Sequence, residues 1–227
     1  MGVSRLEVMI HTLDNGSKAE PYDQVTVDVE EQYHGAVMKK LGERGGDLKD
    51  MQPDGKGRVR LDYILPSRGL IGFRTEFLTA TRGSGLIFSV FDHYGPMKKG
   101  EYGIRMNGVM IANATGKALT NSIFNLQERG RMFIAHGEEV YEGMVIGLHS
   151  RSNDLVVNAL KGKQLTNVRA SGTDEAQVLT PPVIHTLEQA LEFIDDDELV
   201  EVTPTDIRLR KKILSESDRK KASRLAK

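Results

Sequence analysis

"VTVDVEEQYHGAVMKKLGERGGDLKDMQPDGKGRVRLDYIL", residues 25–65, carries the periodicity on which the fold turns. Val25, Val27 and Val29 alternate with polar residues, the two-residue period of a half-buried strand. Val37, Met38 and Leu41 then fall on one face of a helix over residues 33–44, and Gly45-Gly46 supplies the left-handed stop that ends many helices. Residues 47–51 read as a weak strand and Pro53-Asp54-Gly55 as a turn. In the strand that follows, Val59, Leu61 and Tyr63 alternate with Arg58, Arg60 and Asp62.

Outward from this stretch, residues 69–81 place Leu70, Phe73, Phe77 and Leu78 at helical spacing, and after Gly83-Ser84-Gly85 comes an apolar strand over 86–91. The order is strand, helix, strand, strand, helix, strand. It is that of a split β-α-β, ferredoxin-like domain with two helices on one face of the sheet. A Tyr-Gly-Pro turn and two lysines interrupt the pattern at 93–100, which sets the expected boundary: domain 1–95, then domain 96–227.

The second part has another texture. Short apolar runs at 109–112, 132–135, 144–148 and 155–160 are separated by glycine turns, as in a mainly β, barrel-like domain. A helix over 117–129 is expected to turn Leu119, Ile123 and Leu126 inward. A second is signalled by the capping box Thr186-Leu-Glu-Gln189, with Leu187, Leu191 and Ile194 as its buried stripe. The fold class is therefore α+β, ending in a basic C-terminal tail.

Composition excludes several functions. With no cysteine, disulfides, thiolate zinc sites and cysteine nucleophiles are absent. No apolar run approaches the roughly 20 residues of a membrane helix, so no membrane partner is expected and the cytoplasm is the default location. The net charge of −1 hides a strong asymmetry. Residues 186–206 hold eight acids and no Lys or Arg, whereas 207–227 hold nine cations against Glu216 and Asp218. Such a basic run is a footprint of polyanion binding, and equally the composition of a solvated tail. Asp195, Asp196 and Asp197 lie where a helix dipole prefers cations, so the segment containing Arg208, Arg210, Lys211 and Lys212 is expected to brace them or to meet RNA.

No catalytic motif is complete. Gly116-Lys117 resembles the end of a phosphate loop, but Ala118 stands where a Ser or Thr is needed and Ile111 where the first glycine belongs. His136-Gly-Glu138 lacks the thiolates of a zinc deaminase. The run Asp195 to Asp197 points in diverging directions, which suits paired or solvated carboxylates better than a metal site.

Binding fares better. Residues 161–176, "KGKQLTNVRASGTDEA", form a long loop with no acid before Asp174. Lys161, Lys163 and Arg169 suit phosphates, while Gln164, Thr166, Asn167, Ser171 and Thr173 offer donors and acceptors to riboses and bases. Arg151, in the preceding turn, adds a cation. A mobile surface loop is the alternative reading. At 6% aromatic residues, a base-stacking platform is not supported.

The runs "VSRLEVMI", "LPSRGLIGFRTEFLTATRGSG", "ERGRMFIAHGEEVYEGMVIGLHSRSNDLVVNALKGKQLTNVRASGTDEA" and "TLEQALEFIDDDELVEVTPTDIRLRKKIL" closely resemble the C-terminal portion of the BipA/TypA translational GTPases, relatives of elongation factor G. The resemblance implies that the nucleotide-binding, barrel and first ferredoxin-like domains of a longer protein precede this region. It implies GTP and Mg²⁺ as cofactors of that longer protein, and no cofactor and no catalysis here. It further implies ribosome binding, with the 161–176 loop reaching large-subunit rRNA near the peptidyl-transferase centre and the acceptor end of A-site tRNA. A monomer acting in ribosome assembly and in translation under stress is expected. A protein-interaction module using the charged C-terminal third is the rival reading.

Overall fold

The computed structural model describes residues 1–14, 16–100, 102–103, 105–162 and 177–225. The chain divides into two compact units, Leu6–Ile104 and a second formed by Met1–Arg5 with Arg105–Lys227. It is a mixed α+β protein built mostly of strands. None of its described helices is long and apolar enough to cross a membrane.

Strand β1 (Gly2–Val3) belongs to the second unit. The unit Leu6–Ile104 contains β2 (His11–Thr12), β3 (Lys18–Glu30), α1 (His34–Glu43), β4 (Asp47–Pro53), β5 (Arg58–Pro66), α2 (Ser67–Leu70), α3 (Phe73–Ala80) and β6 (Leu86–Pro96). Strand β3 is central. It pairs antiparallel with β5 from Tyr22↔Pro66 to Glu30↔Arg58 and with β6 on its other edge, while β4 flanks β5. The alternating residues Val25, Val27 and Val29 of β3 and Val59, Leu61 and Tyr63 of β5 enter one core with Val37 and Leu41 of α1 and Phe73 and Phe77 of α3. Both helices thus cover the same sheet face, and each large side chain buried there contributes roughly 1.5–3 kcal/mol.

Three features differ from the sequence expectation. The single helix over 69–81 is two, because Gly72 takes a left-handed conformation (φ 71°) and restarts the helix in a new phase. Leu78 consequently leaves the core and is 41% exposed. Strand β6 does not stop at residue 91 but continues to Pro96, opposite Ala19, with a bulge at Tyr22/Asp23 absorbing the extra residue. Residues 96–103 also stay with this unit. Buried Glu20 accepts from the Lys98 amide at 2.7 Å and from Arg68, while Arg68 donates to the carbonyls of Lys98 and Gly100 and lies over the Tyr102 ring.

In the second unit follow β7 (Val109–Ala112), β8 (Gly116–Lys117), α4 (Thr120–Leu126), β9 (Gly130–Met132), β10 (Glu139–Val140), β11 (Met144–His149), β12 (Leu155–Val157), α5 (Leu187–Phe193), β13 (Glu198–Val202), β14 (Ile207–Lys211) and α6 (Glu216–Leu225). The main sheet runs β1-β13-β14-β11-β7-β12, with β9 branching from β11. Strands β8 and β10 pair separately. Alternation along β7 and β11 feeds two cores: Met110, Ala112, Met144 and Ile146 meet Ile123 and Leu126 of α4, while Val109, Ile111 and Val145 meet Ala190 of α5 and Ile194 just beyond it. One helix lies on each face.

Helix α4 is shorter than the expected 117–129, ending in a tight 3-10 turn at Gln127–Arg129. The Thr186 capping box is formed, but Leu187 is 40% exposed and Ala190 takes the buried position. The basic tail is a helix, α6, none of whose residues is buried.

Candidate nucleic-acid interface

Helix α4 contacts the described residues on either side of the cationic segment 163–176. Its Ser122 hydroxyl, on a buried residue, donates to the Lys161 carbonyl at 2.8 Å, leaving the Lys161 side chain exposed. On the returning side, Gln177 donates to the Asn121 amide oxygen at 3.2 Å. Gln127, just past the helix, donates to the Val178 carbonyl and accepts from the Thr180 amide, each at 3.0 Å. Lys163, Gln164, Thr166, Asn167, Arg169, Ser171 and Thr173 lie outside the described residues.

Arg151 is exposed on the turn between β11 and β12. Its carbonyl accepts from the Gly108 amide at 2.8 Å, and the Ser150 amide donates to the Arg129 carbonyl at 2.8 Å. These bonds bring Arg151 and Arg129 to one small cleft, whose other walls are Glu128, His149, Ser150, Asn153 and Leu155. His149 is itself buried, with its Nδ1 2.6 Å from the Asn153 carbonyl. Neither arginine makes an ion pair among the described residues. Sequence reading missed Arg129, since a lone arginine in a polar turn gives no periodic or clustered signal. Only its nearness to Arg131 in "ERGR" could have marked it.

The C-terminal cations are placed differently. Lys211 is 2% exposed, and its ammonium contacts Asp154 at 2.6 Å, Asp197 at 2.8 Å and Glu198 at 3.0 Å. Burial opposes the charge, but these carboxylates outweigh it and Lys211 is pushed up to about 12. The Lys211 ammonium thus faces the acids that this segment is expected to brace. Glu198 is fully buried and takes two bonds from Arg105, at 2.8 and 2.9 Å. Arg5 pairs with Asp196 at 3.2 Å. Arg208 is half-buried, 3.4 Å from Asp206, and its buried Nε has no hydrogen-bond partner in the structure. Arg210 is half-buried and donates to the Lys211 carbonyl, and Lys212 is exposed. Asp154 thus ties the turn carrying Arg151 to β14, whereas among the described residues no bond joins Arg208 or Arg210 to Lys161.

The remaining chemistry is that of turns and ion pairs. Glu138 accepts from the Ala135 amide and so closes a local turn, while His136 Nδ1 lies 3.0 Å from the hydroxyl of Thr120 at the start of α4. Asp195, Asp196 and Asp197 face Arg105, Arg5 and Lys211. Among the described residues no group of three or more metal-ligating side chains is arranged to hold an ion.

Comparison with known proteins bears on both units. Residues 17–103 match the Elongation factor G C-terminus and residues 107–216 the TypA/BipA C-terminal domain. The chain is 64% identical over 227 residues to the large ribosomal subunit assembly factor BipA of Escherichia coli, covering 100% of this chain and 37% of that protein. It is 63% identical to the protein of the same name from Haemophilus influenzae, covering 99% and 36%, and 58% identical to that of Buchnera aphidicola, covering 98% and 36%. The chain therefore spans little more than a third of the length of these relatives. Matching the Elongation factor G C-terminus and the TypA/BipA C-terminal domain in succession, and sharing well over half its residues with BipA along all of its own 227 positions, the chain belongs to the BipA/TypA family.

Proposed function

We propose that this chain is the ribosome-binding, RNA-contacting region of a translational GTPase that acts in large-subunit assembly and in translation under stress in the cytoplasm. The observation that carries the reading is the full-length identity to proteins named as large ribosomal subunit assembly factors. It is supported by cations that make no ion pair among the described residues: Lys161, whose carbonyl is held by Ser122, and Arg129 with Arg151 in one cleft. In this reading the unit Leu6–Ile104 is a ferredoxin-like domain of elongation factor type, and the second unit is a barrel-like module particular to the family. The chain acts as a monomer and catalyses nothing itself, with GTP and Mg²⁺ bound elsewhere in the longer protein.

Lys161, Lys163, Arg169 and Arg151 neutralise phosphates, while Gln164, Thr166, Asn167 and Ser171 hydrogen-bond riboses and base edges. The target is large-subunit rRNA near the peptidyl-transferase centre and the acceptor end of A-site tRNA. Arg208, Arg210 and Lys212 give secondary contacts. Alanine at Lys161, Lys163 and Arg169 together should weaken ribosome binding and reduce the slope of log affinity against log salt by roughly 0.9 for each lost phosphate contact. Sedimentation with ribosomes over a salt series measures this, and an unchanged slope would remove the loop from the interface.

A protein-binding reading draws on one observation. Strand β6, at an edge of its sheet, leaves Leu86, Phe88, Val90 and Phe91 each more than half exposed. Pull-down after complete RNA digestion separates the two: partners that persist support a protein surface, and partners that vanish support RNA.

A further inference from the structure

We infer that Asp154 and His149 are positioning residues for RNA contact, fixing the turn between β11 and β12 so that Arg151 stands in one cleft with Arg129. The inference rests on the RNA-contacting reading above and gives a part in it to an acid and to a buried histidine. Residues 150–154 are all polar and exposed, so apolar burial does not hold this turn. It joins strands on opposite edges of β7, antiparallel β11 and parallel β12, and therefore has to cross the end of β7 at Gly108. There the two backbones touch: a Cβ on Gly108 would stand 2.2 Å from the Asn153 carbonyl carbon.

Hydrogen bonds fix the crossing at both ends. The His149 amide donates to the Gly108 carbonyl at 2.9 Å. Its ring Nδ1 lies 2.6 Å from the Asn153 carbonyl and must be the donor, because that oxygen can only accept. His149 is 4% exposed, so its ring pins the turn from inside. At the other end one Asp154 oxygen accepts from the amide of Val109, the first residue of β7, at 2.8 Å, and the second takes the buried Lys211 ammonium at 2.6 Å. A single carboxylate thus ties the turn to β7 and to β14. Between these ties the Arg151 carbonyl accepts from the Gly108 amide and the Arg129 carbonyl from the Ser150 amide, each at 2.8 Å. The backbone of both arginines is committed, while neither guanidinium enters an ion pair among the described residues.

A cation whose backbone is already placed loses less conformational freedom on binding, which raises affinity without adding a contact. Charge alone predicts the opposite role for Asp154, because deleting an acid from a surface that meets RNA should strengthen binding. The two accounts therefore differ in sign. Asp154→Ala is expected to weaken ribosome binding by about tenfold, with a salt slope lowered toward that of Arg151→Ala. Because the effect runs through Arg151, adding Asp154→Ala to Arg151→Ala should cost little more affinity, whereas unrelated losses would add. His149→Ala should behave in the same way. Asp154→Asn keeps an acceptor for the Val109 amide and loses the charge facing Lys211, so its affinity should fall between those of the parent and Asp154→Ala.

The experiment is ribosome sedimentation of the full chain and of each variant across salt concentrations, with thermal unfolding followed by circular dichroism. Lys211 keeps Asp197 and Glu198 when Asp154 is replaced. If Asp154→Ala nonetheless unfolds, Asp154→Asn carries the test by the same signs. Parent-like or tighter binding of the folded variant overturns the inference, as does a loss that adds in full to that of Arg151→Ala. A variant with alanine at both Arg129 and Arg151 is run in parallel. If it binds like the parent, the RNA-contacting reading of this surface has failed; if it is weakened while Asp154→Ala is not, only the positioning role has.

Discussion

Glu198 has no exposed surface, yet its environment is built for the ionised form. Burial alone would raise its pKa. The two bonds from Arg105, the field of Lys211 and the Asp195 amide, 2.9 Å away, reverse that effect and hold Glu198 below the ordinary carboxylate range. Lys211 is the complementary case, lifted from 10.5 to about 12. The depressed acid adds stability above the ordinary carboxylate pKa, and this is lost as pH falls through its folded value. The raised lysine adds stability that is complete below its ordinary value and lost as pH rises through about 12. Glu198→Gln leaves Arg105 and Lys211 short of a counter-charge in a buried place, and a cost of roughly 3–5 kcal/mol is expected. Urea unfolding at neutral pH measures it. Repeated between pH 3 and 6, roughly spanning carboxylate titration, the variant should show a flatter acid limb than the parent. An equal slope would assign the acid sensitivity to other carboxylates.

Among the elements, β9 depends on a single backbone position. Gly130 has φ 157°, and a Cβ there would stand 1.8 Å from the Leu148 carbonyl oxygen on the paired strand. Because the obstacle is backbone and not a pliant side chain, Gly130→Ala must push β9 from β11. A loss of roughly 1–3 kcal/mol is expected, read as a lowered midpoint in thermal unfolding and as faster amide exchange at Arg131 and Met132. Parent-like exchange there would mean that the strand pair absorbs the methyl group. The elements legible in the sequence were those set by local rules. The run at 109–112 reads as a strand because all four side chains are buried, and the Thr186–Gln189 capping box needs only four residues. Elements extended by distant partners were not legible: β6 reaches Pro96 because Ala19 pairs with it, a relation 77 positions apart. Helix α6 buries no residue, and its only apolar side chains, Ala222 and Leu225, are too few to mark it in the sequence. The site divides likewise. Lys161 and Arg151 stand out by charge, whereas Arg129 becomes relevant only when a backbone bond brings the Ser150 turn to it.

At the scale of the molecule, the end of the acidic block before residue 207 and the start of the basic block after it are the two strands of one hairpin, β13 and β14. Glu198 lies opposite Lys211 and Glu201 opposite Arg208. Part of the cationic density that suggested a polyanion footprint is spent on neighbouring carboxylates, Lys211 on Asp154, Asp197 and Glu198 and Arg208 on Asp206. With a net charge of −1, the chain has little long-range attraction for RNA, so the proposed contact must depend on local cations. Arg129 and Arg151, which share one cleft, make no ion pair among the described residues. Alanine at either should lower the salt slope of ribosome binding by roughly 0.9, and at both by roughly twice that. Phosphate contacts carry no sequence information, so the loss should be the same for any RNA occupying the surface. Arg208→Ala and Arg210→Ala should change the slope less, because each side chain is half-buried, Arg208 beside Asp206 and Arg210 on the Lys211 carbonyl. Equal losses from both pairs would show that β14 faces RNA as directly as the α4 cleft does. No loss from Arg129→Ala and Arg151→Ala would leave the cleft outside the interface.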